Sequence, residues 1–332
     1  MEYTDFLQQK QMRLVESGFD VQDKDLNPHL FPFQGFILKR ALKHGKYAVF
    51  ADCGLGKGQP YGSKVLTQNG WVNIETLKVG DYIIASTGKK QKVTGVFPKA
   101  PIDTYRFHYS DRISCVFDIE HLHIVRTNND RQRGNKWRVM STKELLESNN
   151  IRYGESYKSR NYDIPVVSPI QLDKKVLSIN PYVMGVLIGD GSFRHHYDIT
   201  SADKEIINRV KKLLPKTVSI HKNKGSKYTY NIMTGASGNR HHWFRQIFID
   251  FGLHKKYSHE KFIPNEYLYS DINDRLELLR GLMDTDGYIS KDGSCQFYTV
   301  SPRLCEEVMF LIRSLGGIPT KSEKIGAYKK DG

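Results

Sequence analysis

The chain has 332 residues, of which 39% are hydrophobic and 26% charged, and its formal net charge at pH 7 is +14. That length allows two or three domains with their own cores, and the composition is ordinary for a soluble globular protein. No apolar run approaches the roughly 18 residues of a membrane span, and the first residues do not form a signal peptide. We therefore expect a cytoplasmic protein without a membrane partner; a prokaryote- or phage-encoded origin is compatible with this. Four scattered cysteines without a CxxC pair predict reduced thiols rather than disulfides or a zinc site: Cys53, Cys115, Cys295 and Cys305.

The excess of positive charge, with a pI of about 9.4, favours a polyanionic partner, most simply nucleic acid. A basic protein with no such partner is the alternative.

Residues 1–57 begin like a nucleotide-binding domain. Gln34 precedes a predicted amphipathic helix, and a predicted buried strand at 47–50 leads into "ADCGLGK". This order resembles the adenine-reading Gln motif and Walker-A loop of DEAD/DEAH-like helicases. The resemblance implies an ATP site, used only in the uninterrupted host, formed by Gln34, Gly54, Gly56 and Lys57. A chance glycine-rich turn is the alternative.

The loop does not continue as a nucleotide-binding loop. A Walker-A Lys is followed by Ser or Thr, which holds Mg²⁺. Here Gly58, Gln59 and Pro60 follow Lys57, and they cannot open the phosphate-loop helix. The pattern predicts that another element interrupts the loop after Lys57, and that the chain does not turn over ATP.

Residues 58–178 are predicted to be mainly β. Short alternating runs continue to about Thr127, with a hairpin signal at Asn69-Gly70, and a helix is predicted over 141–148. "GQPYGSKVLTQNGWVNIETLKVGDYII" resembles the amino-terminal splicing block of inteins through the following residues: Thr67, Gly70, Trp71, Ile74, Leu77, Val79, Gly80 and Asp81. The resemblance implies an all-β Hint-type splicing domain whose junction lies between Lys57 and Gly58.

"FDIEHLHIV" resembles the second splicing block, which implies that His121 polarises the scissile peptide. His123 is a second candidate, and Asp118 stands where Thr is usual. Gly58 offers neither the thiol nor the hydroxyl that an initial acyl shift needs, so we expect another starting route or no splicing. The closing His-Asn is not found before Gly332, and we expect a carboxy-terminally incomplete intein.

Residues 179–332 contain a repeat. "YVMGVLIGDGSF" corresponds to "ELLRGLMDTDGYI", and each is followed by a predicted strand and a Ser-initiated helix. Small residues would let the two apolar helices approach closely: Gly185, Gly189 and Gly281. The helix ends would then bring together Asp190 and Asp286, whose mutual repulsion a hard cation such as Mg²⁺ relieves. Two helix-stopping Asp-Gly turns are the alternative.

Both segments resemble the motifs of dodecapeptide (DOD-type) LAGLIDADG homing endonucleases. This implies an α/β domain of two pseudo-symmetric αββαββα repeats, monomeric, in which Asp190 and Asp286 are catalytic metal ligands. It further implies Mg²⁺-dependent double-strand cleavage of the intein-free allele of the host gene. "HEKFIPNEY" resembles a Lys-x-Ile-Pro stretch of these enzymes, which makes Lys261 a candidate catalytic or DNA-contacting cation.

Double-stranded DNA should meet the strands after each helix. A predicted hairpin, 218–221 with 228–233, carries three lysines at its tip that suit phosphate contacts: Lys222, Lys224 and Lys227. A solvated turn is the alternative for each lysine. The second repeat stops near its hairpin turn, so we expect little strand cutting from this chain alone.

Three other functions remain open. They are an RNA maturase-like protein, an ATP-dependent helicase fragment and an inactive, decayed intein. The β-rich splicing segment argues against the first, and the missing Ser/Thr and later motor motifs argue against the second.

Overall fold

The computed structural model describes residues 19–26, 38–39, 42–43, 58–96, 103–134, 137–148, 161–194, 197–234 and 242–324. The chain divides into two compact units, Met1–Leu55 and Gly56–Gly332. The described part of the first unit contains one 3-10 turn, Asp23–Asp25, and a 3.0 Å hydrogen bond from the Phe19 amide to the Leu42 carbonyl. None of the described helices is long and apolar enough to cross a membrane.

The second unit begins with short antiparallel strands. They form sheets in the orders β2-β1-β3-β4, β5-β6 and β8-β7-β9. The bounds are β1 Lys64–Thr67, β2 Gly70–Asn73, β3 Tyr82–Ile84, β4 Lys90–Lys92, β5 Thr104–His108, β6 Ser114–Asp118, β7 Leu122–Thr127, α1 Asn128–Gln132, β8 Arg138–Ser141, α2 Thr142–Glu147 and β9 Tyr162–Asp163.

Local chemistry explains two of these elements. Helix α2 starts at a capping box, in which the Ser141 hydroxyl accepts from the Glu144 amide and the Glu144 carboxylate accepts from the Ser141 amide. The predicted helix at 141–148 is confirmed. The first hairpin differs from the prediction by one residue. Thr67 pairs with Gly70, so the turn is Gln68–Asn69, and Gly70, with φ +117°, opens β2.

A connecting segment, residues 168–172, joins the strands to the rest of the unit. The Gln171 amide donates to the Gly88 carbonyl over 2.7 Å, while the Ile170 amide donates to the Ser314 carbonyl over 2.9 Å. Ile170 also accepts from the fully buried Arg275, whose Nε donates to the Ser270 carbonyl over 3.0 Å. Leu66 of β1 belongs to the same buried hydrophobic cluster as Ile170 and Leu172, so the first sheet also packs against the rest of the unit.

The remainder of the unit is mixed α/β. Its sheets have the orders β10-β11-β13-β12 and β14-β15, and all pairs are antiparallel. The bounds are α3 Pro181–Asp190, β10 Gly191–Ser192, β11 Asp198–Thr200, α4 Lys204–Leu213, β12 Val218–Lys222, β13 Thr229–Thr234, α5 His242–Asp250, α6 Asn265–Leu268, α7 Ile272–Asp286, β14 Gly287–Ile289, β15 Cys295–Phe297 and α8 Pro302–Ser314, with a 3-10 turn at Ser258–Glu260.

Two segments follow the same order of helix, hairpin and helix: α3-β10-β11-α4 and α7-β14-β15-α8. Helix α3 is apolar on every side, and its residues 181–188 are all buried, as expected for a helix at the centre of a core. The helix after each hairpin is capped differently. Ser301 caps α8 as predicted, but Asp203 caps α4, because Ser201 instead accepts from the Asp203 amide.

Candidate active site at the paired helix ends

Helices α3 and α7 touch through their backbones. A Cβ on Gly185 would lie 2.4 Å from the Leu278 carbonyl oxygen, and a Cβ on Gly281 would lie 2.2 Å from the Tyr182 carbonyl oxygen. Each would also lie 3.0 Å from the Cα of the opposite glycine. Only glycine fits both positions, because the atoms opposite are backbone atoms that no rotamer change can move. Gly189 continues this face, where a Cβ would overlap Thr285.

The contact brings the ends of the two helices together. The Asp286 Oδ2 lies 3.3 Å from the place a Cβ on Gly189 would take, and Gly189 directly precedes Asp190. Both aspartates are half-buried. Burial raises the pKa of both carboxyls, and the negative charge of Asp286 raises the pKa of Asp190 further. The structure therefore gathers two carboxylates that resist joint ionisation.

Lys261 completes this cluster. Its side chain is 6% exposed, and its ammonium donates to the Gly189 and Gly191 carbonyls, each over 2.8 Å. Burial lowers the Lys261 pKa to about 8, against the opposing effect of the two aspartates. The charge of Lys261 lowers the pKa of both carboxyls in turn. The ammonium therefore partly balances the carboxylates and also holds the end of α3.

The carboxylate pair suits a hard divalent cation. Carboxylate oxygens are preferred Mg²⁺ ligands, and Mg²⁺ commonly keeps several waters. Among the described residues, no group of three or more His, Cys, Asp or Glu side chains could hold a metal ion. Waters and substrate oxygens would therefore complete the coordination shell, and Asp190 and Asp286 fit such an ion.

Another motif aspartate has a different place. Asp284 accepts a 2.7 Å hydrogen bond from the Tyr182 hydroxyl, and the Arg209 guanidinium lies 3.7 Å from the centre of the Tyr182 ring. Arg209 also pairs with Glu277 at 2.8 Å. This network ties α3 and α4 to α7, and no sequence pattern predicted it.

The predicted lysine hairpin is present. β12 and β13 pair from Val218 opposite Thr234 to Lys222 opposite Tyr230. The end of β12 and the turn that follows it present three exposed lysines, Lys222, Lys224 and Lys227, and the Lys227 ammonium lies 5.1 Å from the centre of the Tyr228 ring.

A second cluster surrounds Gly58, far along the chain from the aspartates. The Asp118 amide donates to the Gly58 carbonyl over 2.7 Å. Gly58 has φ +97°, and a Cβ there would lie 2.6 Å from the His121 Cβ and 2.8 Å from the Asp118 Oδ1. The position therefore excludes a side chain both by its backbone conformation and by its neighbours.

The two candidate histidines differ in burial and contacts. His121 lies against Gly58 and stacks on Phe117, with ring centres 4.2 Å apart. His123 is buried, and its Nε2 lies 2.9 Å from the Thr142 hydroxyl. Burial, with a smaller effect from His121, lowers the pKa of His123 to about 4. His123 is therefore a packed core residue, whereas His121 adjoins the predicted junction.

An exposed stack of side chains, which no sequence pattern predicted, includes Arg194, four residues after Asp190. The Arg194 guanidinium lies 4.3 Å from the centre of the Tyr257 ring, and that ring is stacked with His259 at 5.9 Å. The only sequence signal was the basic and aromatic character of two short segments.

The predicted ATP-site residues Gln34, Gly54, Gly56 and Lys57 lie outside the described residues.

A match to a known protein family covers most of α7, the second of the two helices. Residues 273–332 match the LAGLIDADG-like domain. The matched range contains Gly281 and Asp286, whereas α3 with Asp190 lies before it. Members of this family are typically nucleases that bind DNA.

The chain is also similar to a replicative DNA helicase DnaB of Mycobacterium intracellulare. The two are 28% identical over 285 residues, which cover 81% of this chain and 44% of the relative. The alignment thus spans less than half the length of the relative. It supports a helicase context, while the narrower assignment to the DEAD/DEAH-like class stays a prediction.

Proposed function

We propose that this chain belongs to a helicase precursor carrying an intein, and that the intein contains a LAGLIDADG homing endonuclease. The observation that carries the proposal is the backbone contact of Gly185 with Gly281, which gathers Asp190, Asp286 and Lys261 at one end of the helix pair. Mixed α/β structure surrounds this site, and we interpret its two helix-hairpin-helix segments as halves of pseudo-symmetric repeats.

The similarity to the helicase is not confined to the segment before the proposed junction. The proposed junction follows Lys57, so only a small part of the chain precedes it. Because the alignment covers 81% of this chain, it must continue far beyond that junction. The relative thus shares much of the segment that we assign to the intein.

The substrate we propose is double-stranded DNA. The exposed lysines of the β12–β13 turn can contact phosphates, and the outward side chains of the adjacent strands can reach base edges. A phosphodiester placed over the helix ends would meet two half-buried carboxylates whose charge the buried ammonium of Lys261 partly balances. The net charge of +14 favours this approach over long range.

Asp190 and Asp286 would hold Mg²⁺ and orient the waters around it. A bound divalent cation would supply charge stabilisation for the leaving oxygen and a more acidic water. Lys261 lowers the pKa of both carboxyls against the larger, opposite effect of burial and fixes the end of α3. Hydrolysis then consists of attack by water at phosphorus and departure of the opposite oxygen.

Splicing is the second part of the proposal, and it concerns His121. This ring adjoins Gly58 and could polarise the peptide at the junction. Gly58 itself has no nucleophile, so cleavage there would need attack by a group elsewhere in the full protein. We propose that splicing either begins by that route or has been lost.

Plasmid cleavage tests the endonuclease. The protein, expressed from its complete reading frame, is incubated with Mg²⁺ and a plasmid carrying the uninterrupted host coding sequence around the Lys57 codon. We expect a single linear product from the wild type. Asp190→Asn and Asp286→Asn should remove cleavage but retain DNA binding, because they change the site and not the lysine hairpin.

Asp173→Asn is the matched control, since this exposed carboxylate pairs with Lys90 away from the helix ends. It should cut like the wild type. Cleavage that survives Asp190→Asn contradicts the proposal. Preferential binding of a host intron RNA, without DNA cleavage, would favour the maturase alternative, and loss of all nucleic-acid activity would favour a decayed element.

A further inference from the structure

The stack of Arg194, Tyr257 and His259 lies on the surface. All three residues are exposed, and the Tyr257 and His259 rings are nearly parallel, at 19°. The Arg194 guanidinium lies over the tyrosine ring, with its central carbon 4.3 Å from the ring centre, and a contact with the face of a ring does not use the N–H donors of the guanidinium. Cation–aromatic contact therefore holds an arginine in one orientation without using its hydrogen-bond donors.

Two hydrogen-bond links anchor this stack to the helix end that carries Asp190. The Lys255 amide donates to the Phe193 carbonyl over 2.8 Å, which ties the two segments of the stack together. Two residues beyond His259, Lys261 donates to the Gly189 and Gly191 carbonyls. Because Arg194 is four residues from Asp190, it lies within about 14 Å of that residue even in a fully extended chain.

The neighbouring acid is already engaged. Glu260 accepts from the Tyr257 amide over 3.0 Å and from the Lys256 ammonium over 3.1 Å. Arg194 forms no ion pair with any residue that the structure describes, in contrast to Arg209, Arg280 and Arg303, which all bind carboxylates. An oriented guanidinium with free donors is suited to an anion such as a phosphate.

We propose that Arg194, held by Tyr257 and His259, binds a backbone phosphate of double-stranded DNA beside the cleavage position on the Asp190 side. This inference rests on the proposed endonuclease function and adds a DNA-contacting residue to it. The contact is one-sided. Ser290 stands four residues after Asp286, and its hydroxyl is used within its own turn, bonded to the Ser294 carbonyl. The second repeat therefore has no arginine at the position that corresponds to Arg194.

The salt dependence of DNA binding tests the contact. Affinity for a duplex of the uninterrupted host sequence is measured over a series of salt concentrations. Each phosphate contact contributes about 0.9 to the slope of log affinity against log salt. Arg194→Ala should therefore reduce the magnitude of the slope by about 1. Arg194→Lys and Tyr257→Leu should retain the slope but weaken binding several-fold, because charge remains while orientation is lost.

Arg280→Gln is the control, since the Arg280 charge is already paired with Glu277, and its slope should equal that of the wild type. A wild-type protein that binds and cuts, together with an unchanged slope for Arg194→Ala, would overturn this inference alone. A wild-type protein that binds no duplex would overturn the proposed function and this inference with it. If Arg194→Ala does not fold, equal affinity of Arg194→Lys and the wild type overturns the inference.

Discussion

Replacing Gly185 by alanine should destabilise the protein through the contact between α3 and α7. The new Cβ would lie 2.4 Å from the Leu278 carbonyl oxygen and 2.9 Å from the Leu282 nitrogen, about 1 Å inside ordinary contact. Because both atoms are backbone, the helices must separate. Overpacking costs about 1–3 kcal/mol, and a rigid backbone neighbour places this site near the upper end of that range. Because alanine favours the helix by about 1 kcal/mol over glycine, the net loss in the free energy of unfolding should be about 2 kcal/mol.

Thermal unfolding followed by circular dichroism measures this loss. For a unit of this size, 1 kcal/mol corresponds to about 2–4 °C in Tm, so Gly185→Ala should lower Tm by about 4–8 °C. Gly225→Ala is the matched control, because its Cβ would meet nothing closer than the Asn223 Oδ1 at 3.5 Å. Its Tm should change little. A Gly185→Ala protein as stable as the wild type would refute the close-contact argument.

Three further predictions concern other parts of the molecule. The pKa of His123 is about 4 when folded and about 6.5 when unfolded. The unfolded chain therefore binds the proton more tightly, and the wild type should lose roughly 2 kcal/mol between pH 6.5 and 4 after allowance for screening. His123→Gln should lose less in chemical unfolding across that range, and an equal loss would contradict the assignment. Gly58→Cys should lower Tm and give no thiol-dependent cleavage at the Lys57–Gly58 bond, because its Cβ would overlap His121; cleavage seen on gels after dithiothreitol would contradict this. Replacement of the hairpin lysines Lys222, Lys224 and Lys227 by Glu should weaken DNA binding most at low salt. A variant that binds DNA as tightly as the wild type at every salt concentration would exclude the hairpin from the interface.

Local patterns in the sequence predicted the elements that carry the site. The apolar run before Asp190 corresponds to α3, whose residues 181–188 are all buried, as expected for a wholly apolar helix. The matching run before Asp286 corresponds to the end of α7, a helix with charged residues that buries Leu278, Gly281 and Leu282. The Ser301 cap and the helix of Ser141–Ser148 also follow from local chemistry. Each of these signals lies within one helix, so residue spacing and residue type are enough to predict that helix.

The repeat also predicted the contact between the two helices, but the other tertiary contacts of the sites could not be predicted from local patterns. The carbonyls that Lys261 binds are 70 and 72 residues away in sequence, and a Lys-x-Ile-Pro resemblance alone could not specify them. His121 and His123 are only two residues apart in the sequence, and only the packing shows which of the two is buried. Arg194 and Tyr257 are separated in the chain by α4, the lysine hairpin and α5, so no local pattern joins them.

The central claim is that Asp190 and Asp286 form one DNA-cleaving site, and mapping the cut on both strands tests it most directly. The protein from its complete reading frame is incubated with Mg²⁺ and the uninterrupted host sequence, and primer extension locates each break. Two carboxylates at the paired ends of α3 and α7 predict one break in each strand, and both breaks should be absent with Asp190→Asn or Asp286→Asn. Breaks that persist in either variant, or a wild-type protein that leaves both strands intact, would contradict the claim.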